Sequence, residues 1–184
     1  MIAKHMNLTE KETVGTYLAS IIHDVGRTYI PIEIVNKPGR LTHTEFSIVK
    51  MHPRVGYDIL GMVEFSWPIA EIILQHHEGM DGSGYPEGLS GKDILIEARV
   101  LEVGDVAEAM SSQRPYRQAH DQDEIIEELF QNREVLYNPQ VADVCLQLFA
   151  EEQIKFQENS SNEMVNSARD HRMHSTSYDP YILP

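Results

Sequence analysis

The stretch HHEGMDGSGYP begins with His76, His77 and Glu78, contains three glycines and ends at Pro86. Imidazole and carboxylate side chains are the donors that hold divalent metals or move protons. A glycine-rich turn after them lets the backbone close over whatever they bind. Other polar residues fall on faces whose spacing is otherwise apolar. Asp24 lies between Ile22 and Val25, beside His23. His76 follows Ile69, Ile72 and Ile73 at helical spacing, Asp105 follows Ala98 and Leu101 in the same way, and His52 directly precedes Pro53.

Any one of these side chains is satisfied by a core hydrogen bond, a cap or an ion pair. Five or six of them spread over several short elements are different, because a core cannot cheaply bury so many unpaired polar groups. A divalent metal removes that cost by turning imidazole nitrogens and carboxylates into ligands. No thiolate joins the set, so iron or manganese in a six-coordinate site fits it better than structural zinc. The donors leave the choice between those two open.

The elements that must position these residues read as helices. Capping boxes are predicted at Thr9 with Glu12 and at Thr42 with Glu45, opening LTEKETVGTYLASIIHDVGR and HTEFSIVKM. In the first of these, Val14, Leu18, Ile21, Ile22 and Val25 share a face. Pro53 and Pro68 sit where first-turn prolines start helices, giving PRVGYDILGM and PIAEIILQHHE. Further helical patterns follow in IEARVLEVGDVAEAM, DEIIEELF and PQVADVCLQLFAEEQIKF. No alternating strand pattern occurs, so the fold class is all-α.

A chain of 184 residues is long enough for one domain with a real core. No apolar run reaches membrane-spanning length, and MIAKHMNLTEKE has no signal-peptide core. The single Cys145 falls in an apolar helical pattern and reads as an inert thiol in a reducing cytoplasm. A net charge of −14 argues against general nucleic-acid binding, so no DNA partner is expected. It also means that an anionic substrate needs a local cluster of positive charge, for which bound metal ions are the most concentrated source. From 157 to 184 the chain is rich in Ser, Asn and charge and reads as a poorly ordered tail. His171 and His174 there, and His5 near the other end, read as solvated.

Four motifs occur in order: HDVGR (His23–Arg27), LTHTEFSIVKMHP (Leu41–Pro53), HHEGMDGSGYP (His76–Pro86) and GDVAEAMSSQRPYR (Gly104–Arg117). Together they resemble the HD-GYP domains, a branch of the HD metal-dependent phosphohydrolases, from about residue 5 to about 150. The resemblance implies an all-α HD-domain helical bundle over 1–156, with a long glycine-rich GYP loop. It implies hydrolysis of the bacterial second messenger cyclic di-GMP, or a related cyclic dinucleotide, to pGpG or GMP, in the cytoplasm. Two or three divalent metal ions are implied as cofactors, with His23, Asp24, His52, His76, His77 and Asp105 as ligands. Asp24 would bridge two ions, and His52, His76 and His77 would serve mainly the second. Asp24 and Arg27 carry over as catalytic, and Tyr85, Pro86, Arg114 and Arg117 as substrate-binding. An upstream sensor or receiver domain, or signalling partner proteins, are implied as well.

The sequence departs from the family pattern at Arg27 (usually Lys), Met80 (commonly aromatic) and Glu108 (commonly Asp). The family also places a ligand histidine on a helix upstream of LTEKE, which this sequence lacks. The 184 residues are therefore expected to be a weak or inactive enzyme as they stand. Two classes stay open: a metal-dependent phosphodiesterase, and a truncated module that binds nucleotide or a partner protein without turnover.

Overall fold

Capping chemistry sets where the helices begin. The computed structural model describes residues 1–112 and 120–154, and every regular element among them is helical. The helices are α1 (Ile2–His5), α2 (Glu10–Ile22), α3 (Ile32–Val35), α4 (His43–Val49), α5 (His52–Leu60), α6 (Ile69–Gln75), α7 (Ile96–Ser111), α8 (Gln122–Asn132) and α9 (Pro139–Ala150). Short 3-10 turns occupy Val25–Tyr29 and Gly91–Asp93. Both predicted capping boxes form: Thr9 and Thr42 accept from the N–H of Glu12 and Glu45, whose carboxylates accept from the cap N–H groups in return. Pro53 lies in the first turn of α5, whereas Pro68 is the N-cap of α6 rather than its first residue. Arg114, Arg117 and the tail from 157 lie outside the described residues.

Helix α7 is the spine. Val100, Val103, Val106, Ala107 and Met110 pack into one core with α1, α8 and α9. Ala98 and Leu101 pack into a second core with α2, α5 and α6. A helix buried on two faces needs a wide apolar surface, and α7 supplies one while also burying Glu97 and Glu102. On α6, Ile69, Ile72 and Ile73 are wholly buried, each worth about 1.5–3 kcal/mol relative to exposure. None of the helices among the described residues is long and apolar enough to cross a membrane.

Three expectations need correction. The apolar stripe predicted on α2 is only part of its inward face: Leu18, Ile22 and Val25 pack against the second core, but the fully buried positions are Gly15, Thr16 and Ala19, and Ile21 is 61% exposed. The helix is held between α6 and α7, and small residues admit backbones more closely than branched ones. The predicted helix through Arg27 also stops at Ile22, and the chain tightens into the 3-10 turn. A Cβ on Gly26 would lie 2.0 Å from the His52 carbonyl oxygen, so this turn can press against α5 only through a glycine. Finally, α9 ends at Ala150, short of its predicted length. Glu152 takes a left-handed φ of 54°, and the Gln153 N–H closes back on the Leu148 carbonyl at 3.0 Å.

The glycine-rich loop folds inward rather than projecting. Glu78 is inaccessible to solvent, and its carboxylate accepts the N–H of Glu87 at 2.7 Å and of Leu89 at 2.8 Å. Burial raises its pKa, while those loop N–H groups act in the opposite direction. The Tyr85 N–H donates to the His77 carbonyl at 3.0 Å. Gly84 crosses so near that a Cβ there would lie 2.3 Å from the Gly79 nitrogen. At the far end Gln75 accepts the N–H of Leu95 at 2.7 Å, tying the start of α7 to α6.

Two outcomes follow. In Glu78→Gln one acceptor oxygen becomes a donor facing the loop N–H groups, a change of about 1–3 kcal/mol for an unsatisfied buried group. Hydrogen exchange at the Glu87 and Leu89 amides should accelerate at least tenfold while α9 keeps its protection; unchanged exchange would show that Glu78 does not hold the loop. Cys145 is fully buried, and burial pushes its thiol up to about 12. Iodoacetamide should therefore label it only after unfolding, and rapid labelling of the native protein would contradict this packing.

Candidate metal centre

Three of the four site histidines are oriented by a backbone carbonyl one turn earlier in the chain. His23, the C-cap of α2, has its Nδ1 3.0 Å from the Ser20 carbonyl oxygen. His52, the first residue of α5, has Nδ1 2.8 Å from that of Val49. His76, the C-cap of α6, has Nδ1 2.6 Å from that of Ile73. A carbonyl oxygen only accepts, so in all three rings Nδ1 carries the proton. Each Nε2 is thereby turned to the interior, the arrangement in which imidazoles serve as metal ligands.

The Nε2 atoms of His52 and His76 then face each other at 3.3 Å. Both rings are wholly buried. Burial, reinforced by His76, lowers His52 to about 3, and burial lowers His76 to about 4. Both are therefore neutral near pH 7, and two acceptor lone pairs meet in the dry interior. A cation between or beside them relieves that conflict. His77 joins them, its ring centroid 4.0 Å from that of His76 and 5.0 Å from that of His52. Donor atoms of these three histidines all lie within 4.8 Å of one another.

The carboxylates complete the nest. His23 Nε2 lies 3.4 Å from Asp24 Oδ2 and 3.3 Å from Asp105 Oδ1, and His52 Nε2 lies 3.6 Å from Asp24 Oδ1. His23 Nε2 and Asp24 Oδ1 are buried atoms, although the Asp24 side chain as a whole is 36% exposed. Burial lowers the pKa of His23, yet Asp105 and Asp24 outweigh it and raise it to about 9. Burial raises that of Asp105, and His23 more than offsets it, so the carboxyl lies below its usual range. Two carboxylates here demand positive charge, and a proton on His23 supplies it in the metal-free chain. Three buried imidazoles, with His23 and two carboxylates beside them, suit divalent cations. The residues present fit the group.

All six ligands expected from the sequence come together. The 3-10 turn brings Asp24 to α5 through Gly26, and α7 delivers Asp105 one turn after Leu101 on the face toward the second core. Arg27 Nε lies 2.7 Å from Asp24 Oδ1, so its fork is engaged with a carboxylate of the nest. Tyr85 is buried, its ring 4.9 Å from that of His77 and 6.5 Å from that of His52. Pro86 follows it and is partly exposed. Glu78 had been given no role of its own; its place directly after a histidine pair, before a loop full of unpaired N–H groups, was the available signal.

A family model described as HD domain matches residues 1–141. The chain is 40% identical over 148 residues to the cyclic di-GMP phosphodiesterase response regulator RpfG of Xanthomonas campestris, which covers 79% of this chain and 39% of that protein. It is 36% identical over 176 residues to a cyclic di-GMP phosphodiesterase of Thermotoga maritima, covering 93% and 47% respectively. The chain thus spans less than half the length of these curated relatives. The fold is also similar to that of a cyclic GMP-AMP-specific phosphodiesterase of Vibrio cholerae, with a TM-score of 0.63 at 18% identity over 83% of this chain and 42% of the other. Motifs, helical fold and relatives agree: the chain belongs to the HD domain family, in its HD-GYP branch.

Proposed function

We propose that this chain is the hydrolytic domain of a metal-dependent cyclic dinucleotide phosphodiesterase, acting in the cytoplasm on cyclic di-GMP or a related cyclic dinucleotide. The observation that carries the reading is the pair of inward Nε2 atoms on His52 and His76, which no proton-neutral arrangement of those rings satisfies. Names borne by the relatives supply the substrate class.

His23, Asp24 and Asp105 would hold one divalent ion and His52, His76 and His77 a second, with Asp24 between them. Iron or manganese suits these nitrogen and oxygen donors, and a third ion is compatible with the carboxylates. Two such ions supply Lewis acidity and an activated water for in-line attack on a phosphodiester. The chain's own residues do the rest. Ser20, Val49 and Ile73 carbonyls fix each imidazole. Tyr85 closes the inner wall and limits water beside His77. Arg27 holds Asp24 in place and presents its remaining guanidinium N–H groups to the phosphate. Arg114 and Arg117 are taken as further phosphate contacts on the strength of their motif, and a sensor or receiver domain as the regulatory partner.

Metal removal gives the first test. After chelation, adding manganese or ferrous iron at a hundred times its Kd should stabilise the fold by about 2.7 kcal/mol, or about 5–10 °C in Tm. An unchanged Tm with either ion would overturn the metal reading. The second test divides labour. His52→Ala should lower both bound metal and cyclic di-GMP turnover at least about hundredfold, at or beyond the range seen for lost supporting partners. Arg117→Ala should raise KM and keep the metal; equal metal loss in both variants would remove Arg117 from the substrate contacts.

A further inference from the structure

The nest lies in a chain of net charge −14, and most cations around it are already committed. Arg27 is paired with Asp24, Arg54 with Glu87 on the glycine-rich loop, and Lys37 with Glu45. Lys50 is different. Among the described residues no carboxylate lies within the 4.0 Å ion-pair distance of its ammonium. Its Nζ stands 4.8 Å from the ring centre of Phe46 and 5.1 Å from that of Tyr85. The two rings meet edge to face, with centroids 6.4 Å apart. Tyr85 in turn packs 4.9 Å from His77.

A half-buried ammonium held on an aromatic platform, one ring away from the histidines, is a placed positive charge. It is separated from the nest by the Tyr85 ring, so it addresses an anion displaced from the ions rather than one bound to them. A cyclic dinucleotide carries two phosphodiesters on one macrocycle. When one sits at the reactive centre, the other must lie to the side and needs its own countercharge in so acidic a protein. We propose that Lys50 binds that second, non-reacting phosphodiester, with Phe46 and Tyr85 fixing its stem. This rests on the phosphodiesterase reading above and makes Lys50 a determinant of preference for cyclic dinucleotides over simple phosphodiesters.

Lys50→Met keeps the apolar stem over the two rings and removes the charge. Manganese-loaded wild type, Lys50→Met and Lys50→Arg are compared for binding of a hydrolysis-resistant phosphorothioate analogue of cyclic di-GMP. The same proteins are compared for turnover of cyclic di-GMP and of bis(p-nitrophenyl) phosphate, which has one phosphate. Lys50→Met should bind the analogue at least tenfold more weakly, and its kcat/KM ratio of dinucleotide to simple diester should fall at least tenfold. Lys50→Arg should stay within about threefold of wild type, since a guanidinium retains the charge. Binding by Lys50→Met within twofold of wild type would overturn the proposal, as would an unchanged ratio or a loss of bound manganese. Tight binding without turnover by wild type would instead overturn the phosphodiesterase reading, and the binding comparison would still decide Lys50.

Discussion

Two imidazole nitrogens that both need a cation govern the architecture of this site. The Val49 and Ile73 carbonyls take the Nδ1 protons of His52 and His76, so their Nε2 atoms are left as facing acceptors 3.3 Å apart. In water such a conflict is trivial; in a wholly buried interior it is expensive. Everything nearby reduces that cost for a bound cation. Asp24 and Asp105 bring negative charge, and His77 brings another donor. The proposed function draws on an instability that the fold maintains and a bound cation would relieve.

Maintaining it takes rigid supports. The site is assembled where short helices end or begin: the C-cap of α2, the first residue of α5, the C-cap of α6 and the middle of α7. Helix ends have spare carbonyls, which is why they can spend one on orienting an imidazole. The spine helix α7 belongs to both hydrophobic cores, so Asp105 is carried on the best-supported element of the chain. Close approach does the remaining work. Gly26 lets the Asp24 turn press on α5, and Gly84 lets the loop lie against Gly79 beneath Glu78.

The all-helical class was legible in the helical spacing, and Asp24, His76 and Asp105 stood out because each interrupts an apolar face, whereas His23, His52 and His77 were expected beside them from the motifs. The capping boxes at Thr9 and Thr42 were legible because their chemistry is local. The most deeply buried face of α2 was not. Hydrophobic spacing favours Leu18 and Ile21 alike, but Leu18 packs on the second core while Ile21 is exposed and the small residues Gly15, Thr16 and Ala19 are buried, a fact about neighbours distant in sequence. Glu78 and Lys50 were missed for a related reason. One is defined by loop N–H groups that reach it from Glu87 and Leu89, the other by Tyr85, far along the chain. Tyr85 itself is buried, with its ring against His77.

The most direct measurement is anomalous X-ray diffraction at the manganese and iron edges, on crystals of the protein grown with each ion. The expected result is an anomalous peak about 2.0–2.2 Å from the inward nitrogens of His52 and His76, with the two rings moved apart to admit it. Nδ1 of each should still meet its carbonyl. Crystals that show no anomalous signal among His23, Asp24, His52, His76, His77 and Asp105, with the two Nε2 atoms still facing at hydrogen-bond distance, would contradict the metal centre outright.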